Sequence, residues 1–336
     1  MTYPEHVLVV GTGSIAKRHI VNLKQHLNIP RVSCVSASGR TILRDEVGAD
    51  YAYSSIREAM STRPNFVIVA SPSPFHIEHA LVALDLGIPT LVEKPLAPGL
   101  ADVERHRNLL WANESLIQVA YNLRSMPAAQ KMRRLLHSSM IGRLLNVQVD
   151  VGQYLPDWRP GTDYRTGVSA QSSLGGGVFL ELSHEIDYLL WFFGAFETVY
   201  CLSSNSGQLE IDVEDRVDAI FSRKDGLIVY LHMDFLQRSL SRFCRVIGET
   251  GTLHWDLVKN RIILERVGGA VEVLFSEPVA DRNQMYIDEL KVFFDRRCAQ
   301  QINASLWESA QVLVTIDAMK RSVERASSVS IERKSL

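Results

Sequence analysis

Residues Val7-Leu8-Val9-Val10-Gly11-Thr12-Gly13-Ser14-Ile15-Ala16 decide the fold. A strand-type apolar run reaches a Gly-x-Gly-x-x-Ala turn and passes into a helical pattern over residues 15–26. In that context Gly11 permits the tight turn, and Gly13 lets backbone approach a pyrophosphate. Ala16 lets helix and strand pack closely, and the backbone N–H groups of the helix start, at Ser14 and Ile15, face the anion. The glycine pattern alone is weak, but strand, turn and helix in that order make it a dinucleotide site.

The pattern around this stretch repeats the alternation. Strands are predicted at 32–36, 66–70, 90–93 and 116–120, with helices at 42–47, 56–61, 76–86 and 100–113 between them. Apolar runs buried on both faces and alternating with helices mark parallel βαβ units, hence an α/β doubly wound sheet over residues 1–122. After Tyr121 the pattern changes. A helix over 127–138, a long strand over 144–154 and an apolar helix over 178–193 precede predicted strands at 213–222, 227–235, 241–248, 252–256, 261–266 and 271–275. Helices over 285–297 and 305–325 close the chain, and the tail 327–336 is polar. Residues 123–336 are therefore expected to form an α+β domain with a large, mostly antiparallel sheet that binds substrate and mediates oligomerisation.

Composition bounds the function. A chain of 336 residues has material for about two domains at ~150 residues each. With 36 basic and 38 acidic residues the net charge is −2, which gives no electrostatic case for nucleic acid or an anionic membrane surface. The densest basic stretch, Lys131, Arg133 and Arg134, has helical spacing and reads as a solvated face. Cys34, Cys201, Cys244 and Cys298 are scattered, form no CxxC pair, and accompany no histidines at zinc spacing, so no metal site is expected. Isolated thiols, the absence of a signal-peptide pattern and the absence of a membrane-length apolar run point to a soluble cytoplasmic protein.

The second strand bears on cofactor type. A site for NAD usually places Asp or Glu at its end, on the adenosine ribose. Here the sequence runs Val35-Ser36-Ala37-Ser38-Gly39-Arg40, without a carboxylate. Ser36 and Ser38 hydroxyls and the Arg40 guanidinium can hold a 2′-phosphate, which favours NADP over NAD. The alternative is that Arg40 opens the next helix in solvent.

Further motifs follow in order: Ala70-Ser71-Pro72-Ser73-Pro74-Phe75-His76, then Glu93-Lys94-Pro95, then Tyr121-Asn122-Leu123-Arg124, and last Gly175-Gly-Gly-Val-Phe-Leu-Glu181-Leu-Ser-His184-Glu-Ile-Asp187. With Gly11 to His19, this series resembles the Gfo/Idh/MocA oxidoreductases, which include glucose–fructose oxidoreductase and inositol dehydrogenase. The resemblance covers nearly the whole chain. It implies a nicotinamide cofactor and hydride transfer at a sugar hydroxyl or ketone.

It implies that Lys94 is the catalytic lysine, at the carboxyl edge where doubly wound folds bind ligands. In relatives with Glu-Lys-Pro, the following proline is often joined by a cis peptide. It also implies that His184 is the active-site histidine, with an ordinary pKa of ~6.5 suited to proton exchange. Many members carry a carboxylate four residues before that histidine; here the nearest is Glu181, three before. Asp187, one turn after His184, either orients it or caps local backbone. The loop of Ser71, Pro72 and His76, with Glu93, is placed by resemblance against the cofactor, although both prolines also suit plain turns. Tyr121, Asn122 and Arg124 sit at the expected domain junction, with reach to cofactor or substrate.

The stretch Tyr154-Leu-Pro-Asp157-Trp158-Arg159-Pro-Gly-Thr-Asp163-Tyr164-Arg165 is rich in aromatics and donors. Rings stack on sugar faces, and arginines clamp carboxylate or phosphate. Read so, it predicts an anionic or nucleotide-activated sugar. It also looks like the loop of family members tied to surface-glycan sugars such as sialic-like acids. The other reading is a structural loop packed on Trp158. Two further readings of the whole chain stay open: a redox-neutral epimerase, eliminase or glycosidase that recycles its cofactor, and a dinucleotide-binding regulator without chemistry. An antiparallel sheet with one open face predicts a homodimer or homotetramer.

Overall fold

His6–Val10 (β1) is buried along its whole length and lies near the middle of its sheet, between Arg31–Val35 (β2) and Phe66–Val69 (β4). The computed structural model describes residues 3–278, 281–295 and 302–332. The predicted helix end at 296–297, Cys298 and the tail residues 333–336 lie outside the described residues.

The described residues divide into two units. The first comprises Met1–Ser125 and Asn283–Leu313. Its sheet also contains Tyr51–Tyr53 (β3), Thr90–Glu93 (β5), Ile117–Ala120 (β6) and a two-residue strand, Ala304–Ser305 (β15). Among the described residues the order is β15-β6-β5-β4-β1-β2-β3, parallel except where β15 pairs with β6. β1 meets β2 on one side and β4 on the other, so its carboxyl end is the switch point where such sheets bind ligands.

The units divide after Ser125, close to the expected residue 122, and the chain later returns to the first unit. The helix Gln284–Phe294, expected in the second domain, sends Ile287, Leu290, Phe293 and Phe294 into the core of the first unit, beside Leu23 and Leu27. Phe66 makes edge contacts with Phe293 and Phe294, at ring centroid distances of 5.2 and 5.0 Å. The apolar face of this returning helix thus finishes a core that the first 122 residues leave open.

The second unit comprises Met126–Arg282 and Val314–Ser335. Its strands are Leu144–Gly152 (β7), Thr198–Ser204 (β8), Arg216–Ser222 (β9), Ile228–Asp234 (β10), Ser241–Gly248 (β11), Gly251–Asp256 (β12), Arg261–Arg266 (β13), Val271–Ser276 (β14) and Val329–Ser330 (β16). Among the described residues they order as β14-β13-β12-β11-β7-β10-β9-β8-β16, with β7 and β10 the one parallel pair. One face is buried by Val147, Val149, Phe221, Leu231 and Trp255. On alternate positions Tyr200, Leu202, Ile220, Ile228 and Tyr230 are exposed. No helix among the described residues is long and apolar enough to cross a membrane.

The helix predicted over 178–193 is two helices, Val178–Glu181 and Ser183–Phe193, broken at Leu182 (φ −99°, ψ 21°). At the break the Ser183 hydroxyl donates to the Leu180 carbonyl.

Candidate functional site

The first unit builds a cradle at the carboxyl ends of β1, β4 and β5. Gly11 has φ +127°, and a Cβ there would lie 2.3 Å from the Ala70 carbonyl oxygen. Only glycine allows both the turn and the contact with the strand above it. Gly13 precedes the helix Ser14–Val21, and a Cβ on it would meet nothing within 4 Å. That open space and the unpaired N–H groups of the helix start fit a dinucleotide pyrophosphate. Ala16 is fully buried, as close helix–strand packing requires.

From the same helix, His19 reaches across to Glu93 at the end of β5, Nε2 to Oε1 at 2.7 Å. The second Glu93 oxygen accepts from the Lys94 backbone N–H at 3.3 Å. The Lys94–Pro95 peptide is cis, as the resemblance implied. The Pro95 carbonyl lies 2.8 Å from His76 Nδ1, and the Ser71 carbonyl 2.7 Å from His76 Nε2. Complete burial pushes the His76 pKa down, while the two carbonyls and Glu93 work against that shift. Ser71 also meets His79 Nδ1, at 3.0 Å through its hydroxyl. The Ser71-Pro72 loop and the lysine segment are therefore held together through one ring.

Beyond β2, the Ser36 and Ser38 hydroxyls stand 3.1 Å apart, and the Ser38 backbone N–H points at the Ser36 oxygen at 3.3 Å. Arg40 is exposed and paired with Glu46 at 3.3 Å. The Cys34 thiol donates to the Gly11 carbonyl, and burial pushes its pKa up to about 12. It is a packing group, not a nucleophile.

Tyr121, Asn122 and Arg124 are all buried. Arg124, read from sequence as a substrate contact, donates to Glu308 at 2.7 Å with 2% of its side chain exposed. Burial alone would raise the Glu308 pKa. Arg124 and the Ser305 donors outweigh that and hold it low. This pair ties the segment after β6 to the returning chain. Tyr286, which sequence reading missed, lies under the Arg18 guanidinium at 4.5 Å.

The second unit presents His184 near the start of the helix Ser183–Phe193. His184 is half-buried and Asp187, one turn on, is 1% exposed. Glu181 sits on the preceding short helix, beyond the break, and accepts from the Ser169 hydroxyl at 2.7 Å. Glu185, fully buried, receives a two-pronged contact from Arg242, at 2.7 and 3.1 Å. The glycine run ahead has a physical cause. A Cβ on Gly176 would lie 2.3 Å from the Val168 carbonyl, and one on Gly177 2.4 Å from Glu214 Oε1. Glu214, also missed from sequence, accepts from the Phe179 N–H at 3.0 Å, and burial pushes its carboxyl pKa up.

The loop after β7 divides. Trp158 donates from its indole nitrogen to the Gln153 carbonyl and sets its edge against Phe235. Arg165 is occupied by Asp163 at 2.8 Å and Glu210 at 3.2 Å. Arg159 is exposed. The Tyr154 ring lies under the Arg238 guanidinium, 3.5 Å from its centroid.

Residues 6–121 match the oxidoreductase family with an NAD-binding Rossmann fold, and residues 129–254 match the GFO/IDH/MocA C-terminal domain. An uncharacterised oxidoreductase of Synechocystis sp. is 26% identical over 219 residues, 64% of this chain and 56% of that protein's length. The chain thus spans little more than half of that relative. Inositol 2-dehydrogenase of Salmonella paratyphi B is 22% identical over 345 residues, covering 96% of each chain. Among solved structures, levoglucosan dehydrogenase in complex with NADH and levoglucosan superposes with a TM-score of 0.84 at 18% identity, covering 97% of this chain and 99% of that one.

Proposed function

The chain belongs to the Gfo/Idh/MocA oxidoreductases, and from that premise we propose that it is an NAD(P)-dependent dehydrogenase or reductase acting on a sugar hydroxyl or ketone. The observation that carries this reading is the cradle at Gly11 and Gly13, tied through His19, Glu93 and His76 to the segment bearing Lys94. A cradle alone would serve a binding protein; a lysine held at the switch-point edge adds a reacting group. The likeness to a relative named inositol 2-dehydrogenase supports sugar and polyol carbinols as substrates.

Gly11, Gly13, Ser14 and Ile15 hold the pyrophosphate, and Ser71, Pro72, His76, Glu93 and Asn122 flank the nicotinamide end. When bound, the nicotinamide supplies the acceptor or donor of the hydride. His184 takes the proton from the substrate hydroxyl, or returns it in reduction. Lys94 donates to the reacting oxygen and steadies charge there. Asp187 and Glu181 support the His184 side of the site. Ser36, Ser38 and Arg40 favour NADP, since the Arg40 ion pair with Glu46 is exposed and weak.

The finer substrate reading is an anionic sugar, a sugar acid or nucleotide-activated sugar of the surface-glycan kind, recognised by the loop around Tyr154, Trp158 and Arg159. The exposed apolar row on the second sheet, Tyr200, Leu202, Ile220, Ile228 and Tyr230, supports a homodimer or homotetramer. Cys34, Cys201 and Cys244 are buried free thiols, which suits a reducing compartment such as the cytoplasm. Change in nicotinamide absorbance with a panel of polyols, sugar acids and nucleotide-activated sugars tests the activity.

A further inference from the structure

Three strands of the second unit end at one rim. Gly152 closes β7, Asp234 closes β10 and Ser241 opens β11, and the register pairs Gly152 with both others. Tyr154 lies two residues beyond that rim, at most about 7 Å of extended chain. Arg238 lies in the turn that joins Asp234 to Ser241. The next rim residue, Arg242, grips Glu185, the neighbour of His184. Tyr154, Arg238 and the histidine's helix are thus anchored to the same end of one sheet.

The turn that carries Arg238 is built firmly. Asp234, 3% exposed, accepts from the Leu236 and Gln237 backbone N–H groups at 2.6 and 2.8 Å and from the Gln237 side chain at 2.7 Å. Gly152 leaves room for it: a Cβ there would lie 2.3 Å from Gln237 Nε2 and 2.5 Å from Asp234 Oδ2. His232 backs the same carboxylate at 2.7 Å. Arg238 emerges from this support, exposed, with its guanidinium over the Tyr154 ring. Among the described residues it makes no ion pair. Arg165, the arginine that the loop sequence offered, is paired with two carboxylates.

We propose that Arg238, resting on Tyr154, is the residue that selects a sugar bearing a carboxylate. A guanidinium over a ring face keeps its in-plane N–H groups for a two-pronged acceptor, and the ring holds it in place. Arg159, exposed and next to Trp158, adds positive charge; the exposed Asp157 on the other side of that tryptophan subtracts some. One open guanidinium matches one carboxylate, whereas a diphosphate would ask for several such donors. This inference rests on the proposed sugar-oxidoreductase reading and names the substrate class of that site.

The test compares binding of D-gluconate, D-glucuronate and N-acetylneuraminate with neutral D-glucose and D-glucitol, and with UDP-glucose. Titration calorimetry is run on the full chain with saturating cofactor, and nicotinamide absorbance is followed in parallel. At least one sugar acid is expected to bind better than its neutral counterparts. Arg238→Gln should weaken that acid roughly 10- to 100-fold, with neutral sugars unchanged. Arg238→Lys should recover part of the loss, and Tyr154→Leu should lose affinity while Tyr154→Phe keeps it. No preference for acids, or a preference that survives Arg238→Gln, overturns the clamp. UDP-glucose binding more tightly than every acid, with the same dependence on Arg238, overturns the carboxylate assignment. Turnover of neutral polyols alone would overturn the clamp and leave the oxidoreductase reading standing. Arg238-dependent acid binding without nicotinamide chemistry would do the reverse.

Discussion

His19 and Glu93 meet at 2.7 Å between the helix that follows the glycine turn and the strand end that carries Lys94. Both side chains are almost wholly buried, so one contact couples the place where an anion would bind to the place where a reaction would occur. His19→Ala leaves a buried carboxylate short of a partner. A loss of about 1–3 kcal/mol of stability is expected, read as a lower midpoint in denaturant, together with weaker cofactor binding. An unchanged midpoint would show that the pair carries no structural weight.

Lys94→Ala should preserve fold and cofactor affinity and reduce turnover by about 10²–10⁴-fold, the usual range for a positioned proton donor. Steady-state rates beside cofactor titration separate the two effects. Turnover near wild type would remove the lysine from the mechanism.

Arg40→Ala should weaken NADPH about tenfold or more, as expected for loss of a charge-assisted hydrogen bond, and leave NADH nearly unchanged. Glu46→Gln, which releases Arg40 from its ion pair, should move NADPH affinity the other way. Fluorescence titration with each coenzyme reads both variants. Equal weakening of the two coenzymes would reject the 2′-phosphate assignment.

Stability should fall at alkaline pH through His232. Its ring lies between Asp218 and Asp234, 2.7 Å from each, and hydrogen bonds to both carboxylates raise its pKa to about 9. A raised pKa means the contribution is complete below the unfolded value of ~6.5 and disappears as pH climbs through about 9. With a third of the side chain exposed, screening limits the effect to about 1–2 kcal/mol. Denaturant midpoints at mildly acidic and strongly alkaline pH should converge for His232→Gln and differ for the wild type. Equal pH dependence in the two proteins would exclude the histidine as the cause.

Gly11→Ala should abolish cofactor binding and cost about 2–4 kcal/mol, because the new methyl group meets the Ala70 carbonyl and φ is +127°. Gly13→Ala, with open space around it, should fold normally and lose cofactor affinity alone. Thermal melts with and without coenzyme distinguish the pair; equal destabilisation by both would contradict the geometry.

The parts of this molecule that were legible in its sequence are those where backbone geometry dictates residue type. Gly11, Gly13 and Ala16 announce the turn because only small residues fit there, and the strand ends before Ser71 and Lys94 follow from the apolar runs. Short or half-exposed elements left little signal. Tyr51–Tyr53 has three residues, and Thr198–Ser204 ends on polar residues and exposes Tyr200 and Leu202. The break at Leu182 was hidden because Val178, Leu182, Ile186 and Leu189 keep helical spacing through it. The return of Gln284–Phe294 to the first unit depends on contacts with residues over two hundred positions away, such as Phe66. Distance in sequence also hid Glu308, Tyr286, Glu214 and Arg238. Each matters through a partner that no local pattern names. For Arg124 and Arg165 residue type suggested ligand contacts, and the fold also gives each a carboxylate partner that no local pattern announces.

The central claim is net redox chemistry on a sugar, and nicotinamide absorbance tests it most directly. The full chain is incubated with each coenzyme, oxidised and reduced, against neutral polyols, sugar acids and nucleotide-activated sugars. The account predicts a net, substrate-dependent change with one class, larger with the phosphorylated coenzyme and abolished by Lys94→Ala. Tight coenzyme and sugar binding with no net change in either direction would contradict it, and would point to a cofactor recycled within each turnover or to binding without chemistry.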